Sequence, residues 1–152
     1  MRAVVQRVRQ AKVTVGTETT GEIGPGLLVY LGCGKGDTFA DAQWMLEKIL
    51  TLRIFENEAG KLDRSVLDTK GELLVVSQFT LYGDVSRGRR PGFEAAMPPA
   101  EAEALYETFV ELARKRLGVA TGRFRTDMDV SSVNQGPITL LLESPKRAET
   151  SP

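Results

Sequence analysis

The stretch Leu27-Leu28-Val29-Tyr30-Leu31 is a continuous apolar run that lies between two glycines, Gly26 and Gly32. Strands with both faces buried have uninterrupted hydrophobic sequences, so this run predicts a central strand of a sheet. A second run, Leu73 to Phe79, predicts another buried strand. These two segments place a sheet at the centre of the predicted fold.

The segments around these runs predict further strands. Residues 3–15 intersperse valines with arginine, glutamine and lysine, which is typical of paired strands with one solvated face. The threonine-rich residues 14–20 predict a hairpin. Residues 119–124 and 129–143 predict strands, the second of them interrupted at residues 134–137, where a proline cannot donate to a sheet.

Two main helices are predicted. The first begins after the capping residues Asp37 and Thr38, and the second covers residues 99–117, with glutamates in its first turn and Arg and Lys in its last. The order of elements predicts an α/β fold: a single compact domain over residues 1–143 with a mixed, mostly antiparallel, barrel-like sheet. Residues 144–152 are predicted to be a polar, frayed tail.

The composition excludes several classes of protein. The 152 residues fit one domain, and 20 basic residues balance 20 acidic ones, which argues against a general nucleic-acid coat but allows a local basic patch. No apolar run approaches the roughly 20 residues of a membrane span. Cys33 is the only cysteine, so no intrachain disulfide is possible; we expect a buried thiol and a cytoplasmic location.

The chain has no histidine. This excludes Ser-His-Asp and Cys-His catalysis and the HExxH zinc motif, and we expect neither a metal nor an organic cofactor. Any hydrolysis must therefore use backbone dipoles, a hydroxyl group, water or groups of the substrate.

Two segments depart from simple patterns. The buried strand continues into Ser77-Gln78-Phe79-Thr80-Leu81-Tyr82-Gly83, where polar side chains either line a site or mark a strand that leaves the core. The segment Asn134-Gln135-Gly136-Pro137-Ile138-Thr139 is either a turn between strands or a bend whose carbonyl oxygens are free to bind an ammonium group.

Together, SQFTLYG, the following GRRPGF and the later NQGPIT strongly resemble the D-aminoacyl-tRNA deacylases. MRAVVQRV and GKLDRSVLD are also similar to that family, so the resemblance covers about residues 1–143. It implies a homodimer whose active site lies at the interface, with the Gly-Pro motif of one subunit facing the SQFT motif of the other. The implied substrate is D-aminoacyl-tRNA.

The resemblance implies a role for each motif. Gly136 and Pro137, joined by a cis bond and followed by Ile138 and Thr139, form a chiral filter: its carbonyls meet the α-ammonium and an L side chain collides with it. Such exclusion tolerates many D-amino acids and predicts that glycine also enters. Arg7 braces this motif, although the residue pattern alone favours a solvated strand arginine.

Ser77, Gln78, Phe79 and Thr80 are implied to form the catalytic wall, with amides near Phe79 and Thr80 stabilising the oxyanion. Thr80 is a candidate nucleophile, but no base adjoins it in the sequence, so we favour a route in which the 2′-hydroxyl of the terminal adenosine does this work.

Phe124 and Met128 align with residues that line the family's adenosine pocket, with core packing as the alternative. Departures from the family at Arg125 and Thr126 lie beside them. The arginines of the 87–90 loop are either phosphate ligands or solvated charges. Two other functions remain open: a non-enzymatic nucleic-acid binding module, because relatives are linked to DNA binding, and a small-molecule-binding oligomer.

Overall fold

The computed structural model describes residues 1–146, and in that range the chain forms eight strands, two α-helices and one short 3-10 helix. The elements in chain order are β1 (Arg2–Val15), β2 (Glu18–Ile23), β3 (Gly26–Gly32), α1 (Phe39–Thr51), β4 (Phe55–Glu56), β5 (Leu62–Arg64), β6 (Glu72–Ser77), the 3-10 helix (Phe79–Tyr82), α2 (Pro99–Arg114), β7 (Val119–Thr121) and β8 (Asp129–Glu143). No helix in this range is long and apolar enough to cross a membrane.

The main sheet has the order β2-β1-β3-β6-β7, and β8 pairs with β1. β1 pairs antiparallel with β2, β3 and β8, whereas β3–β6 and β6–β7 are parallel. The predicted α/β fold with a mixed sheet and two main helices is therefore confirmed. The prediction of paired strands within residues 3–15 is wrong, because β1 is one strand of 14 residues that pairs first with β3 and then with β2.

The sheet curls into a nearly closed barrel because the edges of β2 and β7 meet. Thr20 Oγ1 donates a hydrogen bond to Thr121 O (3.3 Å). A Cβ atom added at Gly21 would lie 2.4 Å from the same carbonyl oxygen, so only glycine allows this approach. The barrel encloses one apolar cluster of buried residues: Val8, Ala11, Val13, Ile23, Leu28, Leu74 and Val76.

The second and larger apolar cluster lies between the sheet and the two helices. On β3, Leu27, Val29 and Leu31 face the helices, while Leu28 faces the barrel interior. Because successive side chains of a strand point to opposite faces, burial of both faces explains why the run 27–31 is continuously apolar. α1 begins with the predicted cap: Thr38 and Asp41 form a capping box.

Several predicted boundaries change. α2 ends at Arg114 rather than at residue 117, because the N–H groups of Arg116 and Leu117 both donate to Ala113 O and close a tighter final turn. β6 ends at Ser77, since the 3-10 helix begins at Phe79, and β7 ends at Thr121.

Ser144 is buried and does not belong to a frayed tail. It accepts a hydrogen bond from the Met1 ammonium (2.8 Å) and donates one to Asp41 Oδ1 (2.9 Å). The same ammonium lies 2.8 Å from Asp37 Oδ2. The tail prediction is therefore wrong at Ser144, and residues 147–152 lie outside the described residues.

Candidate functional site

A cleft of about 780 Å³ opens at the carboxyl end of β6. It brings together side chains from three separate segments of the chain: Ser77, Gln78, Phe79, Phe93, Phe124 and Met128. Three residues of the SQFT segment and the two predicted adenosine-pocket residues are thus neighbours, although about 45 residues separate them along the chain, whereas Thr80 is not among the residues that line the cleft.

The polar segment lies where the chain leaves the sheet. Residues 73–76 of β6 are buried, Ser77 and Gln78 are half-buried, and Phe79 is 56% exposed. Gln78 N donates to Leu31 O (2.8 Å), which is the last sheet contact, and Leu81 N donates to Gln78 O (3.3 Å) as the 3-10 turn begins. The interpretation of a strand that leaves the core and that of residues lining a site therefore both hold.

Two backbone amides at this turn are free. Among residues 1–146, the N–H groups of Phe79 and Thr80 have no hydrogen-bond acceptor, as is usual for the first residues of a helical turn. Gln78 Nε2 donates to Thr80 Oγ1. An amide is not a base, so this contact does not activate the threonine hydroxyl.

Phe93 lines the cleft beside Phe79. Its ring contacts the Phe79 ring edge-to-face with centroids 5.0 Å apart. Sequence reasoning missed Phe93 as a site residue because it follows the GRRPG segment, where the charges gave the stronger signal. It also missed Lys35, which lines the cleft and for which the sequence pattern gives no signal.

Phe124 and Met128 lie in the segment that follows β7. Phe124 packs partly against the helix-side core, with its ring centroid 6.1 Å from that of Tyr106, and Met128 packs partly against the barrel core. Both also line the cleft, together with Arg125 and Thr126. These two side chains therefore both pack against the core and line the cleft.

The Gly136–Pro137 peptide bond is cis, and Gly136 has φ +122°. Both residues are exposed, at a point where the pairing of β8 with β1 is irregular between Gln6 and Val8. Asn134 stabilises the bend, since its side chain accepts a hydrogen bond from Ile138 N (3.3 Å) and donates one to Thr139 Oγ1 (2.9 Å).

Arg7 supports this bend through its guanidinium group. Its side chain is buried, with Nε donating to Gln135 O (3.2 Å) and Nη1 donating to Ile54 O (3.0 Å). Glu56 Oε1 lies 3.8 Å from Nη2. The alternative of a solvated strand arginine is therefore wrong; the guanidinium links β8 to the segment before β4.

One chain does not bring the two motifs together. The cleft lies at the end of the sheet where Leu31 pairs with Ala3 and Ser77, whereas the Gly-Pro bend lies beyond the Gln6–Thr139 pair. That offset of at least three residues along β1 corresponds to roughly 10 Å or more. Among the residues that line the cleft, none belongs to residues 134–139.

Cys33 lines the cleft, but its thiol is buried, and its surroundings disfavour the reactive thiolate form. Burial, and secondarily the nearby carboxylate of Asp37, raise the pKa of Cys33 to about 12. At pH 7 we expect iodoacetamide to label it about three orders of magnitude more slowly than an exposed cysteine, because only the thiolate reacts. Mass spectrometry of native and unfolded protein measures this; equal labelling rates would contradict it.

Residues 1–146 contain no group of three or more His, Cys, Asp or Glu side chains placed to hold a metal ion. The cleft is lined by hydroxyls, a side-chain amide, aromatic rings, the Cys33 thiol and two thioethers, together with the cations of Lys35 and Arg125 and the carboxylate of Asp127. Such a set can stabilise an oxyanion and stack a base, as ester hydrolysis on a nucleotide requires.

Solved structures confirm the fold. A structure described as c-Myc DNA Unwinding Element Binding Protein superimposes with a TM-score of 0.91 at 46% identity, covering 96% of this chain and 100% of that chain. Another, described as a probable eukaryotic D-amino acid tRNA deacylase, has a TM-score of 0.80 at 18% identity over 93% of this chain and 97% of its own, and shows a similar fold.

Sequence comparisons agree. A D-aminoacyl-tRNA deacylase of Myxococcus xanthus is 62% identical over 146 residues, which cover 95% of this chain and 95% of that protein. A D-aminoacyl-tRNA deacylase of Thermotoga petrophila is 58% identical over 147 residues, covering 96% and 99%. The family model described as D-Tyr-tRNA(Tyr) deacylase matches residues 4–143. This chain therefore belongs to the D-Tyr-tRNA(Tyr) deacylase family.

Proposed function

We propose that this chain hydrolyses the ester bond of D-aminoacyl-tRNA in the cytoplasm, as a homodimer that needs neither a metal nor an organic cofactor. The main observation is that Ser77, Gln78 and Phe79 line one cleft with Phe124 and Met128, at a turn where the amides of Phe79 and Thr80 have no acceptor within residues 1–146. Family membership and the names of the relatives at 62% and 58% identity support this activity.

The chemistry is addition of water to the ester carbonyl followed by departure of the ribose oxygen. The N–H groups of Phe79 and Thr80 donate to the carbonyl oxygen as it becomes negative, which lowers the barrier. The 2′-hydroxyl of the terminal adenosine activates the water, and the proton passes to the departing 3′-oxygen. The products are free D-amino acid and tRNA with its 3′-hydroxyl restored. Ser77 and Gln78 shape the wall of the cleft beside these amides.

Phe124 and Met128 hold the terminal adenine. An aromatic face stacks on a base without reading its identity, and a thioether adapts to the ring edge. Lys35 and Arg125 at the same cleft supply positive charge for the adjoining phosphate.

The partner subunit's Gly136 and Pro137 complete the site. Their carbonyl oxygens bind the substrate's α-ammonium, and an L side chain would collide with the bend, so selectivity arises by exclusion. Glycine has no side chain to collide, and we propose that glycyl-tRNA is also hydrolysed. Ile138 and Thr139 hold the bend in shape through their contacts with Asn134.

An open apolar sheet face supports the homodimer. Leu141 on β8 is 80% exposed and lies in register with Val4, which in turn pairs with Tyr30 on β3. Together with the exposed Phe79 ring, this row joins the region of the cleft to β8. Since one chain does not bring its two motifs together, a second copy on this face would supply the missing half of the site.

Thr80→Ala is expected to retain kcat/KM within about tenfold of wild type, because the structure gives the hydroxyl no base, whereas loss of a covalent nucleophile costs roughly 10⁴-fold or more. Thr80→Ser is the matched control that keeps the hydroxyl. Single-turnover hydrolysis of a D-aminoacyl-tRNA measures both. Complete loss in Thr80→Ala with binding intact would restore threonine as the nucleophile.

The function is tested by offering purified protein D-tyrosyl-tRNA, L-tyrosyl-tRNA, glycyl-tRNA and duplex DNA. We expect release of D-tyrosine and glycine with the L-ester left intact. Duplex retention without turnover of any ester would instead favour a DNA-binding module, an alternative suggested by the structural relative at 46% identity, whose name refers to binding of a DNA unwinding element. Equal hydrolysis of both tyrosyl esters would contradict the chiral filter.

A further inference from the structure

The arginine-rich segment after the 3-10 helix is a closed loop of defined shape. The backbone groups of Asp84 and Gly92 exchange two hydrogen bonds, from Asp84 N to Gly92 O (2.7 Å) and from Gly92 N to Asp84 O (2.9 Å). Ser86 N donates to Asp84 Oδ1 (2.9 Å), which fixes the first turn of the loop. We call residues 84–92 the arginine loop.

Three cations of this loop have no carboxylate partner. Arg87, Arg89 and Arg90 are exposed and form no ion pair within residues 1–146, as is also true of Arg9, Arg114 and Arg125. The three side chains line a cavity of about 580 Å³ whose remaining charged residues are Asp84 and Glu94. The cavity therefore has an excess of positive charge in a chain whose net charge is zero.

This cavity and the cleft share a wall. Residues 92–97 lie between them, with Phe93, Ala96 and Met97 lining the cleft and Gly92, Glu94 and Ala95 lining the arginine cavity. The wall is fixed to the segment that follows β3, since Lys35 N donates to Ala95 O (2.9 Å) and Met97 N donates to Cys33 O (3.0 Å). A ligand in the cleft that extends past Phe93 thus meets the arginines next.

We propose that the arginine loop binds phosphate groups of the tRNA 3′ strand that precede the terminal adenosine. The proposal rests on the proposed function, which places that adenosine in the cleft. Guanidinium groups bind phosphate oxygens in a bidentate manner, and such contacts set the position of a nucleic acid without reading its sequence. The arginine loop thereby contributes affinity for tRNA, and the cleft performs the chemistry.

The test replaces the three arginines together, as Arg87→Gln/Arg89→Gln/Arg90→Gln. The matched control is Arg114→Gln/Lys115→Gln/Arg116→Gln, which removes the same charge from exposed positions at the far end of α2. That end lies roughly 18 Å or more along the helix axis from Pro99 and Ala102, the residues of α2 that line the cleft. Two substrates are compared for each variant: D-tyrosyl-tRNA and 2′(3′)-O-D-tyrosyl-adenosine, which carries no phosphate.

We expect the loop variant to raise KM for D-tyrosyl-tRNA about tenfold or more at low salt with kcat unchanged. The affinity for uncharged tRNA should also depend less on salt concentration. The magnitude of the slope of log affinity against log salt concentration should be smaller by about 2, the value for three single-strand phosphate contacts. Hydrolysis of the adenosine ester should not change. The control variant should match wild type on all three measurements.

Three results would overturn the proposal. The first is a tRNA KM and salt slope equal to those of the control. The second is equal loss of activity on both substrates, which would make the loop a structural part of the cleft. The third is weakened binding of duplex DNA with an unchanged tRNA KM. Failure of the wild-type protein to hydrolyse either ester would refute the proposed function itself, whereas the salt slope for uncharged tRNA still reports on the loop.

Discussion

Gly136→Ala is expected to lower kcat/KM for D-aminoacyl-tRNA about 100-fold or more, because displacement of a positioning group by about 1 Å has effects of this size. Gly136 has φ +122°, a conformation that L residues rarely adopt. An added Cβ would lie 3.1 Å from Arg7 Nη2 and 3.1 Å from both Ile138 N and Ile138 Cγ1. The bend must therefore shift, and its carbonyl oxygens shift with it.

The matched control for this substitution is Gly16→Ala. Gly16 also has a positive φ, +59°, but an added Cβ would meet nothing within 4 Å. Both variants carry a backbone cost on the order of 1–3 kcal/mol, so a comparable small loss of thermal stability is expected in each. Only the Gly136 variant should lose deacylation of D-aminoacyl-tRNA. Parallel kinetics in the two variants would show that the bend does not contribute to the site.

Co-expression extends this test to the proposed interface. Phe79→Pro removes one of the free amides at the first position of a helical turn, where proline is tolerated. If each site combines the SQFT segment of one subunit with the Gly-Pro bend of the other, mixing Gly136→Ala with Phe79→Pro restores one intact site per heterodimer. Random association then gives about a quarter of the wild-type activity. No recovery would contradict a site that the two subunits share.

Arg7→Met is expected to destabilise the fold by about 2–4 kcal/mol and to lower kcat/KM at least tenfold. The buried guanidinium donates to Gln135 O and Ile54 O, and its loss leaves both carbonyl oxygens without these donors. Arg7→Lys should lie between this variant and wild type, because one ammonium group cannot reproduce the planar fork that reaches both carbonyls.

The control for these two substitutions is Arg9→Met. Arg9 lies two residues further along β1 and is exposed, so its replacement should change stability by less than about 0.5 kcal/mol. Denaturant unfolding and steady-state kinetics on D-tyrosyl-tRNA measure all three variants. A loss of stability in Arg7→Met without a change in kcat/KM would make Arg7 a purely structural residue.

Much of the fold followed from the sequence because local patterns and global packing agree. The apolar run at residues 27–31 predicted a strand buried on both faces, and the capping residues before α1 marked a helix start. Where the predictions were wrong, contacts between residues far apart in the sequence determined the structure. The valines interspersed with polar residues in residues 3–15 predicted paired strands, but β1 is one strand that pairs first with β3 and then with β2.

The sequence by itself determined which residues are candidates for the site: the absence of histidine, the polar end of a core strand and the Gly-Pro segment all follow from residue identity. Only the tertiary structure decided how these residues meet. It buried Arg7 beneath the bend, joined Phe124 and Met128 to the SQFT segment, and placed Phe93 between the cleft and the arginine loop. The physical reason is that sheet pairing and packing connect positions far apart in the chain, and no local pattern records those distances.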